Sequence, residues 1–200
     1  GDLNGDGALD IVVGNSGQRN RVYINDDVGN FDSIVTEFGL EYGSSISVAL
    51  GDVNGDGDLD IVVANYAQRN RVYINDDGDF SDTGQEFGLS YGSSYSVALG
   101  DLDRDGDLDI VVGNSDQRNL VFMNDDGDFS VNVQEFGLAN GNSVSVALGD
   151  LNGDGDLDIV VGNYDQTNRF FINDDGDFDD TGQEFGDANG NRSTSVALGD

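Results

Sequence analysis

Forty acidic side chains, 35 Asp and 5 Glu, stand against eight Arg, no Lys and no His in 200 residues, a formal charge of −32. Such a field repels nucleic-acid phosphates and anionic lipid and attracts divalent cations, so neither nucleic-acid binding nor membrane insertion is expected. The lack of Cys removes disulfide frameworks and thiolate metal sites, and no run approaches the roughly 20 apolar residues of a membrane-spanning helix.

Apolar residues are gathered into dense runs, LDIVV and RVYI among them, which marks a folded chain rather than a disordered acidic one. The phrase SVALGD recurs at Ser47–Asp52, Ser96–Asp101, Ser145–Asp150 and Ser195–Asp200. A fixed period is the signature of a repeat architecture. The chain is therefore read as a single array, 1–200, with repeats at 1–50, 51–99, 100–148 and 149–198 and the start of a further repeat at 199–200. Because Gly1-Asp2 and Gly199-Asp200 are the same dipeptide, the expectation is a slice of a longer array.

The second repeat shows the order of elements. Ser47–Leu50 is a short strand, and the loop Gly51–Asp58 favours neither helix nor strand. Leu59–Val63 is a continuous apolar run, as expected of a strand buried on both faces. Arg71–Asn75 alternates, and Asp77-Gly78 after it is a hairpin-turn signal. A fourth segment runs from Phe80 to Phe87. Helical periodicity is nowhere apparent. Four short antiparallel strands in about 40 to 50 residues make one blade of a β-propeller, so the fold class expected is all-β, four blades of four strands. Repeats two and four share Asn65-Tyr66 and Asn163-Tyr164 and the run DTGQEFG at Asp82–Gly88 and Asp180–Gly186, where repeats one and three have Asn15-Ser16 and Asn114-Ser115 and no DTGQ. This pattern points to duplication of a two-blade unit.

The chemistry is concentrated in nine residues per repeat, Asp-x-Asn/Asp-x-Asp-Gly-x-Leu-Asp, at Asp2–Asp10, Asp52–Asp60, Asp101–Asp109 and Asp150–Asp158. Oxygen donors at positions 1, 3 and 5, a backbone carbonyl at 7 and a Gly at 6 are what a hard cation of flexible coordination, Ca²⁺, requires. An EF-hand has a bidentate Glu at position 12 and a helix behind it. Here position 12 is Val13, Val63, Val112 or Val161, inside a strand, so the EF-hand and helical dockerin-type readings are excluded.

SVALGDVNGDGDLDIVVAN, then NRVYINDDGDF, then EFG, resembles the FG-GAP or VCBS repeats of integrin α-chain propellers and their bacterial and archaeal relatives, along essentially the whole chain. The resemblance implies one structural Ca²⁺ per repeat, four in all, in a loop joining the first and second strands of a blade. The implied ligands are Asp2, Asn4, Asp6, the Ala8 carbonyl and Asp10; Asp52, Asn54, Asp56, the Asp58 carbonyl and Asp60; Asp101, Asp103, Asp105, the Asp107 carbonyl and Asp109; and Asp150, Asn152, Asp154, the Asp156 carbonyl and Asp158.

Other features have plainer readings. Asn75–Asp79 and its copies at Asn25, Asn124 and Asn173 are hairpin turns rather than second cation sites. Tyr66 and Tyr164 are ordinary aromatics at strand ends before they are a sugar platform. Paired carboxylates abound, as a glycosidase needs, yet the loop Asp residues are taken up as ligands and no His, Cys or Lys offers a base or nucleophile. An enzyme is not expected. The function expected is an extracellular or cell-surface adhesion or recognition module with a protein or glycan ligand. A structural array of a surface layer or filament is the alternative and a carboxylate glycosidase a weak one. Divergence between repeats, which a recognition site needs, is confined to Ser33–Thr36, Glu41–Ser45, Val131–Gln134 and Asp187–Thr194. The first blade lacks the strand that SVAL supplies elsewhere. Ser195–Leu198 is expected as a strand pairing beside Leu9–Val13, in a second copy or segment in preference to the same chain, a route to self-association.

Overall fold

The computed structural model describes residues 1–26, 28–31, 35–179, 183–187 and 192–199. Ser33–Thr36, Asp187–Thr194 and the run Asp180–Gly186 lie partly outside these residues, and Asp200 wholly so. No helix occurs among the described residues. Among them sixteen strands form four antiparallel sheets, and the chain divides into two compact units, Gly1–Gly92 and Ser93–Asp200.

In the first unit, β1 (Ile11–Val13), β2 (Asn20–Tyr23) and β3 (Val35–Phe38) make a three-stranded sheet. Next come β4 (Ser45–Gly51), β5 (Asp60–Asn65), β6 (Asn70–Asp76) and β7 (Asp79–Phe87), adjacent in sequence order. In the second unit, β8 (Ser94–Gly100), β9 (Asp109–Asn114), β10 (Asn119–Asp125) and β11 (Asp128–Phe136) repeat that sheet. The last sheet has β12 (Ser143–Gly149), β13 (Asp158–Asn163), β14 (Asn168–Asp174) and a divided outer edge, β15 (Asp177–Asp179) and β16 (Glu184–Phe185), both on β14. The blade of four antiparallel strands is thus the observed unit, and the first sheet has three strands among the described residues.

The double-sided burial expected of LDIVV is found. Every residue of β5, β9 and β13 is buried, with Ile61, Val63, Ile110, Val112 and Ile159 at 0 % exposure. Beside β1 no inner strand is paired, and there Ile11 and Val13 stay 44 % and 36 % exposed.

The core lies between sheets. Leu3, Val22, Ile24 and Phe38 of the first blade join Ile61, Val63, Tyr73 and Phe80 of the second, while Leu102, Val111, Val121 and Phe136 join Ile159, Val161 and Phe171 in the second unit. Each cluster has an aromatic pair at its centre. Phe38 meets Tyr73 edge to face at 5.0 Å, and Phe136 meets Phe171 at 4.9 Å in the same geometry. Phe38 and Phe136, each from an EFG run, thus anchor one blade to the next within their own unit. At Gly100 a side chain would collide with Leu148 and Leu157 of the following sheet, so the Gly of SVALGD is what allows adjacent sheets to approach.

Ser195–Leu198 departs from expectation. It forms no strand and enters no ladder. Instead Val196 N–H donates to Ser145 Oγ at 3.1 Å and Leu198 lies against Gly149. Val146 N–H likewise donates to Ser96 Oγ at 3.1 Å, so the segment occupies over β12 the place that β12 occupies over β8. Contact with the preceding sheet positions it.

Phe171→Ala is expected to cost about 3–5 kcal/mol in chemical denaturation, the usual loss for a buried aromatic. Val133→Ala, on a residue 45 % exposed, should stay within about 1 kcal/mol. Equal losses would place the core elsewhere.

Candidate metal loops and the opposite edge

In the three four-stranded blades the Asp-rich loop joins the first strand to the second, Asp52–Leu59 lying between β4 and β5, Asp101–Leu108 between β8 and β9, and Asp150–Leu157 between β12 and β13. The ninth residue is the anchor. Asp60, Asp109 and Asp158 are 0 % exposed and Asp10 is 5 % exposed. One carboxylate oxygen accepts the backbone N–H of loop position 2, from Leu3, Val53, Leu102 and Leu151, at 2.7–2.9 Å. The other accepts the backbone N–H of Asn25, Asn75, Asn124 and Asn173, each at 2.9 Å. One charge therefore fastens the loop to the third strand.

That asparagine completes the junction. Asn75 Oδ1 takes Gly78 N–H at 2.8 Å, while its amide donates to Leu59 O at 3.1 Å and to Leu3 O of the preceding blade at 2.8 Å. Asn173 repeats the set, with Leu102 O of its preceding blade at 2.7 Å. The turn after it has two left-handed residues, Asp77 (φ 52°) and Gly78 (φ 86°), a type I′ hairpin. The hairpin reading of Asn75–Asp79 holds.

The rest of the loop curls around its acid groups. Position 6 is left-handed throughout, at Gly7, Gly57, Gly106 and Gly155 (φ 93–101°). Position 5 accepts the N–H of position 7, from Ala8, Asp58, Asp107 and Asp156, at 2.8–2.9 Å. Position 1 accepts from position 6 in three loops, at Asp2, Asp52 and Asp150, each at 2.9 Å. Asn4, Asn54 and Asn152 at position 3 donate to Asp6, Asp56 and Asp154 at 2.6–2.8 Å.

These residues fit a hard cation. Asp2 Oδ1 and Asp101 Oδ1 are buried acceptors with no hydrogen-bond donor, an arrangement costly unless a positive charge meets it. In the third loop Asp101, Asp103 and Asp109 each turn one oxygen within 4.8 Å of the others. Burial pushes Asp109 up to about 6, with Asp103 and Asp105 adding repulsion. Asp103 is raised as well, by burial and then by Asp105, and Asp60 by burial, with Asp56 and Asp52 adding to it. These oxygens could hold one cation per loop, and the donor set is all oxygen, which suits Ca²⁺ or Mg²⁺ over softer metals.

A family model described as an FG-GAP-like repeat matches residues 2–63, 52–112, 105–161 and 150–200. The chain belongs to the FG-GAP-like repeat family. No curated protein matches it in sequence. Among solved structures, BBS1N in complex with ARL6DN, soaked with mercury, is similar over 90 % of this chain and 54 % of that one, with a TM-score of 0.61 at 16 % identity. The lead-soaked crystal of the same complex gives 0.59 at 15 %, over 90 % and 53 %. The chain thus spans about half the length of these neighbours. At such identities the likeness speaks for the β-propeller fold.

The FG-GAP-like frame has a second end, where the β5–β6 turn meets the segments between blades. Tyr66 N–H donates to Ser44 O at 2.8 Å, and Ala67 N–H donates to Gly92 O at 2.7 Å. Gln68 spans to the same segment, its Nε2 on Tyr42 O and its Oε1 on Ser44 N–H, both 3.2 Å. Tyr42, Tyr66 and Tyr91 are thereby gathered on one edge, 76 %, 44 % and 85 % exposed. Tyr164 is half-buried with the Arg192 guanidinium 5.3 Å from its ring centre, in line with the plainer reading. Tyr42 and Tyr91 did not stand out from spacing alone. Their signal is the segment YGSS at Tyr42–Ser45 and Tyr91–Ser94, which becomes Asn140–Ser143 in the third repeat.

In the metal-free chain Asp109 is raised above its ordinary 3.8 to about 6. The folded state then holds the proton more tightly than the unfolded one, so this group's penalty is complete above about pH 6 and fades as pH falls toward 4. Carboxyl-carbon NMR of the metal-free protein should give a midpoint near 6 for Asp109, and a midpoint below 4 would contradict its burial.

Proposed function

We propose that this FG-GAP-like chain is a Ca²⁺-stabilised β-propeller module that recognises a protein or glycan at the cell surface or outside the cell, without catalysing a reaction. The observation that carries the recognition reading is the tyrosine edge. Three exposed rings lie among Ser44, Gln68 and Ser90, on the end of the blades away from the acidic loops. Tyrosine combines a flat apolar face with a hydroxyl at low entropic cost, which suits a sugar ring or a neutral peptide patch. The chain's charge of −32 disfavours an anionic partner. BBS1N, crystallised in complex with ARL6DN, is a protein of this fold seen with a partner.

Calcium is assigned a structural role because each loop is tied to the third strand of its own blade. A dissociation constant near 10⁻⁴ M with free Ca²⁺ near 10⁻³ M, the extracellular regime, gives about 1.4 kcal/mol per site by linkage. Four such sites contribute about 5–6 kcal/mol, comparable to the stability of a small domain. The near-identity of the loops favours a second reading, an array whose repetition itself builds a surface layer or filament.

Calorimetric titration should find about four Ca²⁺ per chain, and chelation should lower the melting temperature steeply. Asp56→Ala should remove one site, whereas Asp79→Ala in the turn should leave the count unchanged. A melt indifferent to chelator would sink the calcium role. For recognition, binding to arrays of neutral oligosaccharides and of extracellular proteins should fall about tenfold or more on Tyr42→Ala with Tyr91→Ala, in keeping with aromatic anchors. Asn140→Ala should change nothing, and binding indifferent to the tyrosines would remove this edge from consideration.

A further inference from the structure

Position 4 of the loop is Gly5, Gly55 and Gly153 in three repeats, at φ 71°, 74° and 82°. The third repeat has Arg104 there, at φ 60°, a conformation that costs a non-glycine residue about 1 kcal/mol. Seven of the eight Arg lie away from the acidic loops, where Arg21, Arg71 and Arg169 pair across strands with Glu37, Glu86 and Glu184. Arg104 alone lies within an Asp-rich loop.

Its guanidinium leaves its own loop for the next. Arg104 Nε lies 2.6 Å from Asp156 Oδ1, and Nη2 donates to Asp154 O at 3.1 Å. These are positions 7 and 5 of the fourth loop, on either side of the turn at Gly155, and the guanidinium also packs against Gly155. Asp156 is 9 % exposed in consequence, though its equivalents Ala8, Asp58 and Asp107 are only half-buried. One positive charge is thereby delivered to a loop holding Asp150, Asp154, Asp156 and Asp158. Asp154 is held below the ordinary carboxylate range, first by the Asp156 N–H and the Asn152 amide, with Arg104 assisting.

We propose that Arg104 is a built-in counter-cation for the fourth loop, keeping Asp150–Asp158 in shape when metal is withdrawn and opposing metal when it binds. The proposal rests on the reading that these loops hold Ca²⁺. A divalent ion in either loop repels the guanidinium and holds the loop by itself, so the ion and Arg104 do the same work in alternation. Linkage makes the effect reciprocal: what Arg104 adds to the metal-free loop it subtracts from metal affinity.

The test is a double-mutant cycle on the intact chain, with Arg104→Gly and Asp156→Ala melted in chelator and in saturating Ca²⁺. Both substitutions install residues that sibling loops already carry, Gly5 and Ala8, so folding should survive. Relief of backbone strain by glycine is the same in both conditions and cancels in the comparison. The expected result is coupling between the two positions in chelator that shrinks in Ca²⁺, a larger Ca²⁺-induced rise in Tm for Arg104→Gly than for wild type, and one site tightened about three- to tenfold. Arg104→Lys, which keeps the charge, should restore the wild-type rise. Coupling of equal size in both conditions would make the contact an ordinary ion pair and overturn the proposal. If no variant, wild type included, responds to Ca²⁺, the calcium reading fails and the counter-cation role falls with it.

Discussion

A buried carboxylate is the constraint on which the blades depend. Asp60, with no exposed surface, accepts one backbone N–H from its own loop and one from the third strand. An ionised group in that position is tolerable only when hydrogen-bonded or neutralised, so loop, second strand and third strand must be formed together. The Asn75 side chain extends the same network into the preceding blade through Leu3 O. A local electrostatic requirement thus becomes a junction between blades, and the aromatic pair Phe38–Tyr73 adds apolar area to a geometry already set by polar contacts.

This network explains why so much could be read from residues alone and where reading stopped. The buried second strand, the type I′ turn at Asp77-Gly78 and the left-handed Gly at loop position 6 are local properties of residue type. They were legible because one residue and its neighbours determine them. Asn75 was legible only as part of a turn. Its larger role comes from a carbonyl more than seventy residues away, which no local pattern encodes. Ser195–Leu198 forms no strand within the chain for the complementary reason, since a sequence that favours a strand still needs a ladder partner. Spacing also gave no hint that the position-9 Asp serves the backbone, since its two N–H partners come from loop position 2 and from the third strand.

The two edges of a blade answer to different physics. Loop and hairpin share one edge, where carboxylates are fixed by backbone N–H groups and any change disturbs the junction. The other edge carries the β5–β6 turn and the segment between blades, held by Tyr66 N–H on Ser44 O and by Gln68 on the backbone of Tyr42 and Ser44. These bonds use only the backbone of position 42, so its side chain is free to change. Asn140 stands where Tyr42 and Tyr91 stand in the first two repeats, on the same frame, with Gln166 donating to its carbonyl as Gln68 does to that of Tyr42.

Variation follows this division, and it does so with two different symmetries. In the outer strand, DTGQEFG relates repeats two and four, whereas YGSS between blades relates repeats one and two. A duplication of two-blade units accounts for the first pattern and not for the second. Tyrosines at 42 and 91 therefore depart from the inherited alternation, on the edge where the frame permits departure at no structural cost. Arg104 departs too, but on the constrained edge and in a left-handed conformation, and a substitution that incurs backbone strain needs a compensating contact. Its compensation is the neighbouring loop, so the two departures differ in kind: one uses freedom the fold leaves open, and the other is held in place by the charge it meets.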